Sequence, residues 1–150
     1  MYKSNKSRQQ SFLDFNQPLG LHMNPENRWV KMADLIPWDI FEEKYADLFP
    51  SNTGNVAKPL RMALGALIIQ TKFQYPDREL IDQIAENPYL QYFIGLPGFQ
   101  EEPPFDASTL VLFRKRITSE MLIEANNYIL NHKDDDNHPP TDSTIARPSA

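Results

Sequence analysis

The chain has 150 residues, with 15 Lys and Arg against 20 Asp and Glu and a formal net charge of -5. This leaves room for one domain with arms, and it excludes coating of nucleic acid by bulk charge, so any such contact must lie on a local basic face. Cysteine is absent, which excludes disulfides, thiolate zinc sites and cysteine nucleophiles and fits a reducing cytoplasm.

The longest apolar run, Met62 to Ile69, is far short of the roughly 20 residues of a spanning helix, and the N-terminus has no apolar signal core, so no membrane role is expected. Through Lys31 the chain is polar, with five basic residues (Lys3, Lys6, Arg8, Arg28, Lys31) against two acidic ones (Asp14, Glu26), a net of +3. It reads as a solvated terminus or as an arm that follows phosphates. Residues 1–34 are therefore assigned to a basic arm, 35–131 to the folded domain, and 132–150 to an acidic, Pro-rich linker or tail without periodicity.

In LIPWDIFEEKYADLF, Pro37 suits a first helical position, and Trp38, Phe41, Tyr45 and Leu48 recur on one side, as a core-facing aromatic stripe would. PSNTGN, residues 50–55, is turn material. AKPLRMALGALIIQTKF follows as the central helix, with Gly65 marking a close helix contact; Arg61 and Lys72 emerge on one side, either to keep it wet or to touch a phosphate. YPDRELIDQIAE is a helix opened by Pro76, and Asn87 and Pro88 start NPYLQYFI, which ends at a left-handed Gly95. Leu96 to Pro104 is a loop, and TSEMLIEANNYILN is a last helix capped by Thr118 or Ser119. No strand pattern appears. The expected fold is all-α, five to six helices in a compact, helix-turn-helix-like domain.

FDASTLVLFRKRI, residues 105–117, carries the functional question. Asp106 is an N-cap for a helix from Ala107 to about Thr118, whose buried stripe is Leu110, Phe113 and Ile117. Ser108, Thr109, Leu112, Lys115 and Arg116 then face outward and Arg114 lies at the edge, able to brace the domain or hold a phosphate. Short hydroxyl residues followed by long cations suit a major-groove reader; the competing account is dipole compensation on an exposed helix. His132, Asp134, Asp135, Asp136 and His138 are metal-ligand types, yet nothing in their segment fixes a geometry, and they read as solvated linker.

Three segments, LIPWDIFEEKYADLF, AKPLRMALGALIIQ and DRELIDQIAENPYLQYFIGLPGFQEEPPFDASTLVLFRKRI, in this order resemble the N-terminal domain of InsH-type bacterial insertion-sequence transposases. The resemblance covers Leu35 to Ile117. It implies a helical domain that helps to recognise the terminal inverted repeats and precedes a DDE-type catalytic domain, where three carboxylates hold two divalent metal ions. Carried over, it makes the helix with Ser108, Thr109, Arg114, Lys115 and Arg116 the contact surface; the outward Leu112 and, from their spacing, Arg61 and Lys72 are further candidates. Asp142, in TDSTIARPSA, resembles the first catalytic Asp, but one carboxylate cannot build a two-metal site. The expectation is thus a truncated copy or the first part of an interrupted reading frame, a non-catalytic, cytoplasmic and nucleoid-associated chain with no metal or other cofactor and no small-molecule ligand, whose partner is DNA at the transposon ends. The alternatives are a module that pairs with the catalytic domain or another copy without touching DNA, and a decayed gene product without a role.

Overall fold

The computed structural model describes residues 12–47 and 58–137, and these form helices α1 (Arg28–Leu35), α2 (Trp38–Ala46), α3 (Leu60–Phe73), α4 (Asp77–Glu86), α5 (Pro88–Phe93), α6 (Ala107–Arg116) and α7 (Ser119–Asn137), with a short 3-10 turn at Phe12–Asp14. Among the described residues there is no β-strand, only an isolated parallel bridge between Asn16 and Gly98. The all-α expectation holds, with seven α-helices among the described residues in place of five or six. Leu48, the turn at 50–55, Asp142 and residues 138–150 of the expected tail lie outside the described residues.

The most apolar segment becomes the hub. From Leu60 to Ile69 every residue of α3 is buried, and the helix is packed by α2, α4, α5, α6 and α7. A helix apolar on all sides can be satisfied only by such enclosure. Gly65 sits where α5 ends: a Cβ there would lie 3.1 Å from Ile94 Cγ2, the close approach expected of it. The stripe on α2 is buried through Trp38, Phe41 and Tyr45; full burial of one such side chain stabilises by about 1.5–3 kcal/mol.

The caps are local chemistry. The Asn87 side chain accepts from the Tyr89 and Leu90 amides and Pro88 occupies the first position of α5, while α2 and α4 start one residue after Pro37 and Pro76, a difference within ordinary boundary scatter. α5 ends as expected at Gly95, φ 89°. The Gly95 amide donates to the Tyr92 carbonyl and the Leu96 amide to that of Gln91, the paired bonds of a Schellman motif. α3 ends on Gln74 in the same left-handed region, φ 58°. The Thr118 hydroxyl accepts from the Met121 amide at 3.1 Å and so is the cap of α7.

Two expected boundaries are corrected. Residues 12–34 are no solvated arm: Phe15, Met23, Trp29, Val30, Met32 and Ala33 are buried in the core. Asn27 caps α1 by accepting from the Trp29 amide at 2.8 Å, and Trp38 Nε1 donates to the Ala33 carbonyl near the end of that helix at 2.9 Å. Upstream, the Asn16 amide and carbonyl pair with Pro97 and Phe99, and the ring of Tyr92 meets those of Phe12 and Phe15 edge-on. The second correction is at the other end, where α7 runs on to Asn137, past the boundary placed at 131.

Candidate nucleic-acid interface

Helix α6 packs on α3 and α4 through Leu110, Phe113 and Ile117, all buried as the spacing requires. Phe105 precedes the cap and its ring meets Phe113 at 5.3 Å. The Asp106 carboxylate accepts from the Thr109 amide at 3.0 Å and from the hydroxyls of Ser108 at 2.8 Å and Thr109 at 3.0 Å. These bonds hold the Asp106 carboxyl below its ordinary value, led by the Ser108 hydroxyl. Ser108 and Thr109 therefore commit their hydroxyl hydrogens to the cap.

The three consecutive cations go to three places. Arg114 makes a two-pronged ion pair with Asp77, Nη1 to Oδ1 at 2.9 Å and Nη2 to Oδ2 at 2.8 Å. Gln70 completes the cluster, its Nε2 donating to Asp77 Oδ1 at 2.8 Å and to the Tyr75 carbonyl at 3.0 Å. Arg114 and then Gln70 hold the Asp77 carboxyl below the usual carboxylate range. The bracing role open to Arg114 in the sequence is the one its geometry supports, joining α6 to the end of α3 and the start of α4. Arg116 is half-buried near Tyr45; burial raises the Tyr45 pKa, and the nearby charge of Arg116 partly offsets the rise. Lys115 points outward.

The outer face of α6 is consequently narrower than the sequence suggests. Ser108, Val111, Leu112 and Lys115, spaced i, i+3, i+4 and i+7, are exposed, while Thr109 and Arg116 are half-buried at its flank. Val111 is the outward residue that sequence reasoning passed over; its place on the helical wheel was the available signal.

Arg61 requires a correction. It is only 8% exposed and does not emerge with Lys72 on a wet side. Its Nε donates to the Phe93 carbonyl and its Nη2 to that of Tyr92, both at 2.9 Å. The guanidinium lies between the rings of Trp38 and Tyr92, at 5.0 and 5.2 Å from their centroids. It closes the C-terminal end of α5, where a cation meets the last carbonyls and the negative end of the dipole. Desolvation lowers its pKa. A Cβ on Gly95 would come within 3.0 Å of Arg61 Cδ, so the glycine supplies the turn and the space together. Lys72 is exposed and lines, with Met32, Ile68 and Ile129, a groove of about 270 Å³ between α1, α3 and α7.

Gln91 was not singled out in the sequence, yet it is fully buried. Its amide nitrogen donates to the Ile84 and Gln100 carbonyls at 2.9 and 2.8 Å, and its oxygen accepts from the Gln100 amide at 2.9 Å. It thereby fixes the loop that leads to α6. Beside the start of α6 an open groove of about 610 Å³ is lined by Arg78, Ile81, Asp82, Pro103, Phe105, Asp106 and Ala107. Among the described residues no three or more His, Asp or Glu are grouped to hold a metal ion. No helix among them is long and apolar enough to cross a membrane.

A family model, Transposase domain (DUF772), matches residues 19–116. The chain belongs to this family of transposase domains. It is also similar to an uncharacterized protein from Rhizobium meliloti, ORF8 in the nfe locus, with 34% identity over 110 residues that cover 73% of this chain and 53% of the relative. The chain thus spans about half the length of that relative. No solved structure matches significantly.

Proposed function

We propose that this domain recognises the terminal inverted repeats of an InsH-like insertion sequence by laying α6 in the major groove. The observation that carries the reading is the outer face of α6, which is exposed from Ser108 to Lys115 while the opposite stripe is locked into the core. The helix contains no acidic residue. In this reading Ser108, Leu112 and Lys115 meet the groove, with Thr109 and Arg116 at the flank. Arg114 sets the orientation of the helix through Asp77, and Arg61 supports the fold. Strand cleavage and transfer with divalent metal ions belong to a DDE-type catalytic domain, and the setting is the bacterial nucleoid.

The test is binding of the purified chain to DNA from the two flanks of its own gene and to shuffled DNA over a range of salt. Preference for the flanks is expected, and Lys115→Ala should weaken binding and reduce the salt slope by about 1. Equal affinity for flanks and shuffled DNA refutes end recognition.

A second reading, a module that pairs with the catalytic domain or another copy, is favoured by α7. Ile123 and Leu130, seven residues apart on one side of that helix, are 60% and 56% exposed. If pairing is the function, Ile123→Ser and Leu130→Ser abolish self-association or catalytic-domain capture while Lys115→Ala changes neither.

A further inference from the structure

Of the four side chains on the outer face of α6, two are branched hydrocarbons. Val111 and Leu112 are each 42% exposed, and at about 100° per residue they flank the line from Ser108 to Lys115. Single exposed apolar residues are ordinary; a pair set between a hydroxyl and a cation on a candidate groove helix is a chemical specification. On the major-groove edge thymine alone presents a methyl group, and apolar side chains read it by contact.

The other readers are missing from this face. α6 contains no Asn or Gln to pair bidentately with adenine and no Asp or Glu to accept from cytosine. Arg114 is engaged by Asp77, Arg116 is half-buried at the flank, and Ser108 donates its hydroxyl hydrogen to Asp106. What remains is hydrocarbon and the Lys115 ammonium, which fits guanine O6 and N7 or a phosphate. Charge also orients the helix. The anionic Asp106 at its N-terminal end disfavours phosphate there, and Lys115 favours it at the other end.

We infer that Val111 and Leu112 dock against thymine C5-methyl groups in the recognised transposon end, and so determine its base specificity. The inference rests on the major-groove reading above. From Ser108 to Lys115 the face covers about 10 Å at roughly 1.5 Å per residue, or about three base-pair steps of roughly 3.4 Å. The methyl contacts therefore fall within about three consecutive base pairs.

The test replaces each thymine of the bound flank by uracil, which removes the methyl and leaves the hydrogen-bonding edge intact. At contacted positions uracil should weaken binding about fourfold per methyl, as expected for a buried carbon group, and the sensitive positions should cluster within about three base pairs. Val111→Ala with Leu112→Ala should bind thymine DNA more weakly and lose the uracil effect; Lys115→Ala should keep it. Because the perturbation is in the DNA, the wild-type result does not depend on how a variant folds. Flank preference that is indifferent to uracil overturns the inference and leaves end recognition standing. Absence of flank preference with thymine DNA overturns both. Uracil indifference together with a dimer that Val111→Ala and Leu112→Ala dissociate assigns the face to a second copy instead.

Discussion

Replacing Arg61 by Ala separates a structural cation from a DNA-contacting one. The substitution removes two charge-assisted hydrogen bonds, each 2.9 Å, and leaves the Phe93 carbonyl at the end of α5 without its side-chain donor. Such bonds contribute about 1.5–3 kcal/mol each, net of exchange with water. The cation also leaves the rings of Trp38 and Tyr92, a further gain lost, while the desolvation cost of the guanidinium is relieved. The balance is a destabilisation of about 3–5 kcal/mol, or a Tm lower by about 6–20 °C for a chain of this length. Arg61→Lys should fall between, because a point-like ammonium keeps the charge but cannot serve two diverging carbonyls with the guanidinium geometry. Urea unfolding followed through Trp29 and Trp38, both buried, measures the loss, and the salt dependence of DNA binding is recorded on the same protein. Stability unchanged within about 1 kcal/mol, with a salt slope shallower by about 1, would refute the reasoning and return Arg61 to the phosphate backbone.

Asp77→Asn should flatten the acid limb of the stability curve. The folded pKa of Asp77 is depressed by Arg114 and Gln70, so its contribution is full above the unfolded value near 4 and is lost as pH falls through the folded one. With side chains 43% and 33% exposed at Arg114 and Asp77, solvent screening limits this to under about 1 kcal/mol. Urea melts from about pH 6 down to about pH 2.5 check it, with Asp106 unaltered in both proteins; an identical acid limb in the variant contradicts the ion-pair account. Gly98→Ala should destabilise by about 1–3 kcal/mol, because its Cβ would lie 2.5 Å from Asn16 Cβ. Faster hydrogen exchange at the Asn16 and Phe99 amides, which hold this contact, is the specific readout, and unchanged exchange would count against the clasp.

What the sequence by itself determined was local. Asp106, Asn87 and Thr118 are caps because a short polar side chain bonds amides two or three residues ahead. Leu110, Phe113 and Ile117 share a face because helical geometry places them there. The outward position of Lys115 follows from the same wheel. α1 was legible on these terms too, since Asn27 precedes Trp29, Val30, Met32 and Ala33 at helical spacing, but the surrounding polar and basic residues led it to be read as arm. Only the tertiary structure decided where the cations end. Arg61 is buried because the rings of Trp38 and Tyr92 and the last carbonyls of α5 come to it from 23 to 32 positions away. Arg114 is claimed by Asp77, 37 positions distant, and Arg116 is half-buried near Tyr45 on α2. A charged side chain takes its role from the partner that desolvates or neutralises it, and when that partner lies on another helix, neither spacing nor periodicity within its own segment carries the information.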